Sequence, residues 1–196
     1  MKRVGVLSLQ GDFAAHAAAL EKAEAGAGVE PVFVREREQF AWIDGLVIPG
    51  GESTTMLKLL RYDGLMETLA EFCGRKPVFG TCAGAILLAG RVLNPEQESL
   101  GVIDIDIERN AYGRQIDSHV SLLDAEPDFE RRTAPGRMEA VFIRAPRIRR
   151  VGRQAKVLAR CAGEPVLVEQ GNRLAATFHP ELTGDLRIHK LFLENL

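Results

Sequence analysis

One cysteine stands between two glycines in Gly80-Thr81-Cys82-Ala83-Gly84. The apolar run Pro77-Val78-Phe79 precedes it and the alanine-rich segment Ala85-Ile86-Leu87-Leu88-Ala89 follows, so the pattern predicts a strand, a sharp turn and a helix. G-x-C-x-G in that setting is the cysteine form of a nucleophile elbow. Small neighbours let the backbone fold tightly enough to hold the side chain out over the sheet edge. A helix N-terminus also favours thiolate over thiol, which matters because an ordinary cysteine with pKa about 8.5 is only a few per cent ionised at neutral pH. The competing reading of the same five residues is a small core hydrophobe, the usual fate of a free cysteine. A nucleophile needs a base.

The candidate base is in Phe178-His179-Pro180-Glu181. Proline at 180 pushes residue 179 toward extended geometry, and residues two apart on an extended chain point the same way. His179 and Glu181 therefore share one side, where a carboxylate can fix the tautomer of the ring while the other ring nitrogen reaches a thiol. Alone, the tripeptide also reads as a loop with a surface acid. A third part is the pair Gly50-Gly51 after the apolar run Gly45-Leu46-Val47-Ile48. Adjacent glycines allow backbone N–H groups to approach a ligand, which makes Gly51 and the N–H of Ala83 candidate oxyanion donors facing Cys82. A turn that needs positive φ explains the same glycines.

The elements that must position these groups alternate. Val4 to Leu9 reads as a buried parallel strand, Asp12 to Ala25 as a helix ended by Gly26 and Gly28, and Pro31 to Val34 and Gly45 to Ile48 as further strands. Helices are expected over Thr54 to Tyr62 and Leu65 to Cys73. The alternation predicts an α/β fold with a doubly wound, mostly parallel sheet and helices on both faces, in which ligands collect beyond the carboxyl ends of the strands. From Gly101 the chain turns strand-rich. Ile103, Ile105 and Ile107 alternate with Asp104, Asp106 and Glu108; Arg114 to Leu122, Arg137 to Ile143, Val157 to Ala159, Pro165 to Glu169 and Arg173 to Phe178 also look extended, the last two joined by a hairpin at Gly171-Asn172. Asp185 is placed to cap a final helix carrying Leu186, Ile188, Leu191, Phe192 and Leu193.

Bulk properties narrow the classes. A chain of 196 residues, 46% hydrophobic and 27% charged, fits one α/β domain spanning residues 1–196. With 25 basic and 27 acidic residues there is no global field to draw nucleic acid or a membrane surface. The basic and apolar start at Met1 to Leu7 is cut off by Ser8 and Gln10-Gly11, too early for a signal peptide or a membrane span, so a cytoplasmic protein is expected. Cys73, Cys82 and Cys161 lack C-x-x-C spacing, which argues against a disulfide framework or zinc site. The cluster Arg144, Arg147, Arg149, Arg150 and Arg153 is short and free of interleaved aromatics, the pattern of a solvated edge or protein interface rather than a nucleic-acid surface.

Elbow, glycine turn and H-x-E in this order resemble the class I, triad-type glutamine amidotransferases. The blocks Leu9-Gln10-Gly11, Pro49 to Met56, Phe79 to Gly84, Glu108-Arg109-Asn110, Gly113 to Ser118, Phe142 to Pro146 and Phe178 to Thr183 are similar to the glutaminase-subunit (PdxT) family of pyridoxal 5'-phosphate synthase. The resemblance implies a flavodoxin-like glutaminase with Cys82, His179 and Glu181 as triad, passing through a glutamyl thioester. It implies an L-glutamine site at Gly50, Gly51, Glu52, Arg109, Ile143 and Arg144, and ammonia passed within a hetero-oligomer to a PdxS-type synthase subunit that builds pyridoxal phosphate. No cofactor or metal is implied. One departure is Ala15, where the family commonly carries an acid before the histidine of the first helix; Gln10 to His16 is expected near the partner, with His16 on the helix surface. The rivals are a stand-alone cysteine hydrolase, active alone and without need of the Arg109 and Arg144 blocks, and a non-catalytic binding subunit, which would have lost the nucleophile or the histidine.

Overall fold

The computed structural model describes residues 1–24, 28–110 and 118–196. The helix end expected at Ala25 and Gly26, and the block from Gly113 to Asp117, lie outside the described residues. The first half is built as alternating strands and helices: β1 (Lys2–Leu7), α1 (Phe13–Glu24), β2 (Val29–Val34), β3 (Gly45–Ile48), α2 (Ser53–Tyr62), α3 (Met66–Arg75), β4 (Val78–Thr81) and α4 (Ala83–Leu88). The second half adds β5 (Ala89–Leu93), β6 (Ile103–Glu108), β7 (His119–Ala125), α5 (Pro127–Arg132), β8 (Met138–Phe142), β9 (Arg147–Val151), β10 (Lys156–Cys161), β11 (Glu164–Gln170), β12 (Arg173–Ala176) and α6 (Arg187–Glu194). Short 3-10 turns cover Arg37–Trp42 and Pro180–Leu182.

The main sheet has nine strands in the order β2-β1-β3-β4-β12-β11-β10-β7-β8. The five from β2 to β12 run parallel, and from β12 onward each neighbour is antiparallel. Buried parallel strands need apolar residues on both faces, and the chain supplies them: Leu46 and Ile48 belong to one core layer, with α2, α3 and α4, while Val47 belongs to the other, with α1 and α6. The expected helices on both faces are therefore present. Three adjacent strands, β3, β4 and β12, are in register at Ile48, Gly80 and Ala175, so the turns that follow them emerge side by side. This is where a ligand site forms in a sheet of this type.

The hairpin between β11 and β12 turns at Gly171-Asn172 as expected. Asp185 caps from one residue further out than the usual position: Leu186 is the helix-flanking residue, and the backbone N–H of Arg187 donates to Asp185 Oδ1 at 3.0 Å. A second sheet, β5-β6-β9, holds what the pattern from Arg144 to Arg153 concealed. Its strand β9, Arg-Ile-Arg-Arg-Val, shows too few apolar residues to read as a strand. Its arginines instead meet the acids of β6: Arg150 Nη2 lies 2.8 Å from Asp104 Oδ1 and 2.9 Å from Asp106 Oδ1, and Arg149 bonds Glu108. The basic cluster is thus largely taken up in ion pairs within the chain.

Candidate active site

Cys82 joins β4 to α4 with φ 49° and ψ −104°, a left-handed conformation that a residue with a Cβ adopts only under strain of about 1–3 kcal/mol. The turn closes because its flanks lack side chains. A Cβ on Gly84 would lie 2.1 Å from the Ile48 carbonyl oxygen, and one on Gly80 2.6 Å from the Gly84 carbonyl carbon. Cys82 N–H donates to the Ala176 carbonyl at 2.8 Å, tying the elbow to β12, and the thiol is 6% exposed. The expected elbow is present, and the fully buried Cys73 supplies the contrast: desolvation pushes its thiol up to about 12.

His179 follows β12 and is fixed by its own backbone, whose N–H donates to the Val141 carbonyl of β8 at 2.8 Å. Its Nδ1 lies 2.7 Å from Glu181 Oε1, and the ring interacts with the Cys82 sulfur, which also lies 4.0 Å from the Ile143 carbonyl oxygen. Burial works against a charged ring here, but the bonds to Cys82 and Glu181 outweigh it and push His179 up to about 10. Burial would likewise raise the Glu181 carboxyl, yet the imidazoles of His16 and His179 hold it well below the usual carboxylate range. Cysteine, histidine and glutamate are thus brought together in the order thiol, imidazole, carboxylate.

Gly50 and Gly51 follow β3. Gly50 packs between the two reacting side chains: a Cβ there would lie 2.4 Å from His179 Cε1 and 3.3 Å from Cys82 Cβ. Gly51 has φ 137° and rests against the Gln10 side chain, whose amide donates to the Glu52 carbonyl at 2.6 Å. Ala83 opens α4, where the first N–H groups of a helix lack intrahelical acceptors.

A cavity of about 170 Å³ opens over the sulfur, small beside the roughly 300–1,000 Å³ of sites for drug-sized ligands. Of the residues expected to hold glutamine, Gly51, Glu52, Arg109, Ile143 and Arg144 line it together with Cys82 and His179, while Gly50 sits behind the imidazole. Glu52 is largely committed to capping α2, accepting from the backbone and hydroxyl groups of Thr54 and Thr55. Burial raises its carboxyl, but these bonds win and bring it down to about 2. Arg109, 8% exposed, reaches Glu52 at 3.5 Å and keeps a buried Nε without a hydrogen-bond partner. Among the described residues that Nε has no partner, while the side chain lines the cavity, where a guanidinium suits a carboxylate. Ser53, Ile86, Asn110 and Pro146 also line the cavity and were not expected there.

His16 corrects an expectation. Predicted on the surface of α1, it is fully buried, with Nε2 3.0 Å from Thr81 Oγ1 and 3.3 Å from Glu181 Oε2, and with Nδ1 3.3 Å from His189 Nε2. The signal was available: His16 stands three, four and seven residues before Ala19, Leu20 and Ala23, on the apolar stripe that packs α1 onto the sheet. Among the described residues no group of three or more acids, histidines or cysteines could hold a metal ion.

A strained thiol at the end of a parallel strand, an imidazole and carboxylate following the neighbouring strand, and a small cavity over the sulfur sit in an α/β fold of the class I glutamine amidotransferase type. The chain belongs to the SNO glutamine amidotransferase family, whose model matches residues 6–196. It is 65% identical, over all of both chains, to the pyridoxal 5'-phosphate synthase subunit PdxT of Solibacter usitatus, and 49% identical to that of Thermotoga maritima over 98% of each. A crystal structure of a glutamine amidotransferase, 46% identical, superposes with a TM-score of 0.85 over 98% of this chain and 97% of that one. PurLQS from Thermotoga maritima, 18% identical, shares the fold with a TM-score of 0.68 over 99% and 97%.

Proposed function

We propose that the chain is the glutaminase subunit of a pyridoxal 5'-phosphate synthase, acting as one unit on L-glutamine and handing ammonia to a PdxS-type synthase subunit in a hetero-oligomer. The observation that carries the chemistry is the strained Cys82 bonded to a His179 that Glu181 holds in place. His179 accepts the thiol proton as the sulfur attacks the carboxamide carbon of glutamine. The N–H groups of Gly51 and Ala83 receive the developing oxyanion. His179 returns its proton to the departing nitrogen and a glutamyl thioester remains; His179 then takes a proton from water, which releases glutamate. Gly50, Gly51, Glu52, Ile143 and Arg144 shape the glutamine site, and Arg109, which lines the cavity, binds the α-carboxylate through its guanidinium. Ammonia must leave by a path closed to water, since protonation would end its use as a nucleophile. A cytoplasmic setting fits the three free thiols, and among the described residues no helix is long and apolar enough to cross a membrane.

The test is glutamate release from glutamine with and without the synthase subunit. Release that rises on adding that subunit, and vanishes with Cys82→Ala, is expected. No release in either condition would overturn the assignment.

A further inference from the structure

Behind the triad, on the side away from the cavity, the carboxylate of Glu181 has a second oxygen to satisfy. Oε1 accepts from His179; Oε2 is buried and, among the described residues, makes no hydrogen bond, with His16 Nε2 at 3.3 Å. That N–H is shared with Thr81 Oγ1 at 3.0 Å, one residue before the nucleophile. Behind His16 stands His189 of α6, fully buried, whose Nε2 faces His16 Nδ1. Desolvation above all pulls His189 down to about 3, so its ring is neutral and carries one proton.

Hydrogen-bond logic then fixes the direction of the chain. Glu181 can only accept when ionised, so a proton on His16 Nε2 is the one that faces it as well as Thr81 Oγ1; with the proton there, a neutral His16 offers a bare Nδ1 to His189 Nε2–H. The atom left over is His189 Nδ1, which is buried and unpartnered as this arrangement requires. The other titratable group acting on this cluster is Asp185, through His189; Cys82 faces only His179.

We propose that His16, with His189 behind it, is a positioning residue for the glutaminase triad: its Nε2–H faces the rear oxygen of Glu181 and keeps the front oxygen aimed at His179. This rests on the triad reading given above. His16 touches neither substrate nor sulfur, and its influence reaches the reaction through Glu181 and then His179.

Two amide replacements separate a donor from mere space-filling. In His16→Asn the amide falls at ring Nδ1, keeping a partner for His189 but leaving Oε2 empty; in His16→Gln the amide nitrogen reaches the position of Nε2. The readout is the pH titration of the His179 ring by NMR in the whole chain, where only four histidines must be assigned. His16→Asn is expected to lower the His179 midpoint by about one unit or more, a tenfold loss of preference for the charged ring. In the assembled enzyme it is expected to lower kcat about tenfold with the glutamine KM within about twofold, and His16→Gln to recover most of both losses. An unchanged His179 midpoint in folded His16→Asn, or equal losses in both variants, would overturn the proposal. Should His16→Asn not fold, the wild-type spectrum decides: a proton on His16 Nε2 supports it and a proton on Nδ1 instead refutes it. A wild-type Cys82 inert to glutamine would sink the glutaminase reading itself, whereas a reactive Cys82 with an unresponsive His179 would sink only the role of His16.

Discussion

The parallel half of the main sheet and the small sheet β5-β6-β9 place their polar groups in opposite ways. Around β3, β4 and β12 the chain buries Thr81, His16, His179, Glu181 and His189, each less than a tenth exposed, in a region almost closed to water. Buried polar groups cost stability unless paired: desolvation pulls His189 down, whereas at His179 the partners Cys82 and Glu181 overcome desolvation and push the ring up. In the small sheet the arginines of β9 remain roughly half exposed, against acids on β6 at the rim. Exposed pairs of this kind contribute about 0–1 kcal/mol each. Charge is therefore plentiful where it does little chemistry, and sparse where one proton's position decides turnover.

The comparison breaks if the two regions respond alike to substitution. His179→Asn is expected to have the largest effect, lowering kcat by about 10³-fold or more while the fold survives, because triad members act as a unit. The same variant carries a pH signature. His179 is raised in the folded chain, so its contribution to stability is present in full below its ordinary value of about 6.5 and is lost as pH rises toward about 10. Urea unfolding of wild type and variant should accordingly converge with rising pH.

Gly50→Ala comes next: its new Cβ would strike His179 Cε1, and displacing the ring by even part of an ångström is expected to cost about 10²-fold in kcat/KM. Arg109→Met is expected to raise the glutamine KM by about 10- to 100-fold with a smaller change in kcat, the size of a lost hydrogen bond to a charged group. Arg150→Gln, in the small sheet, is expected to shift unfolding free energy by less than about 1 kcal/mol, an effect that fades with added salt, and to leave turnover alone.

The same contrast governs how much could be read from residues alone. The elbow was legible because glycines at 80 and 84 fit the close approach of backbones; His179 and Glu181 do meet, but through the 3-10 turn Pro180–Leu182 and not along the extended chain expected from Pro180. The parallel core strands were legible because burial on both faces demands an unbroken apolar run. Strand β9 was hidden because its neighbours, not its own periodicity, make arginine acceptable there. The burial of His16 could be read from the apolar stripe of α1, but its partners could not: α1 and α6 are far apart in sequence, and only their packing reveals that His16 faces the Glu181 carboxylate on one side and His189 on the other. Arg109 was marked by family resemblance alone, since nothing in its spacing announces that it lines the cavity.

The most direct test of the central claim is to treat the chain with an electrophilic glutamine analogue and map the adduct by mass spectrometry. Cys73 is buried with its thiol pushed up to about 12, and Cys161 lies away from the cavity. A single adduct on Cys82 is the expected result; modification of Cys73 or Cys161 with Cys82 intact would contradict it.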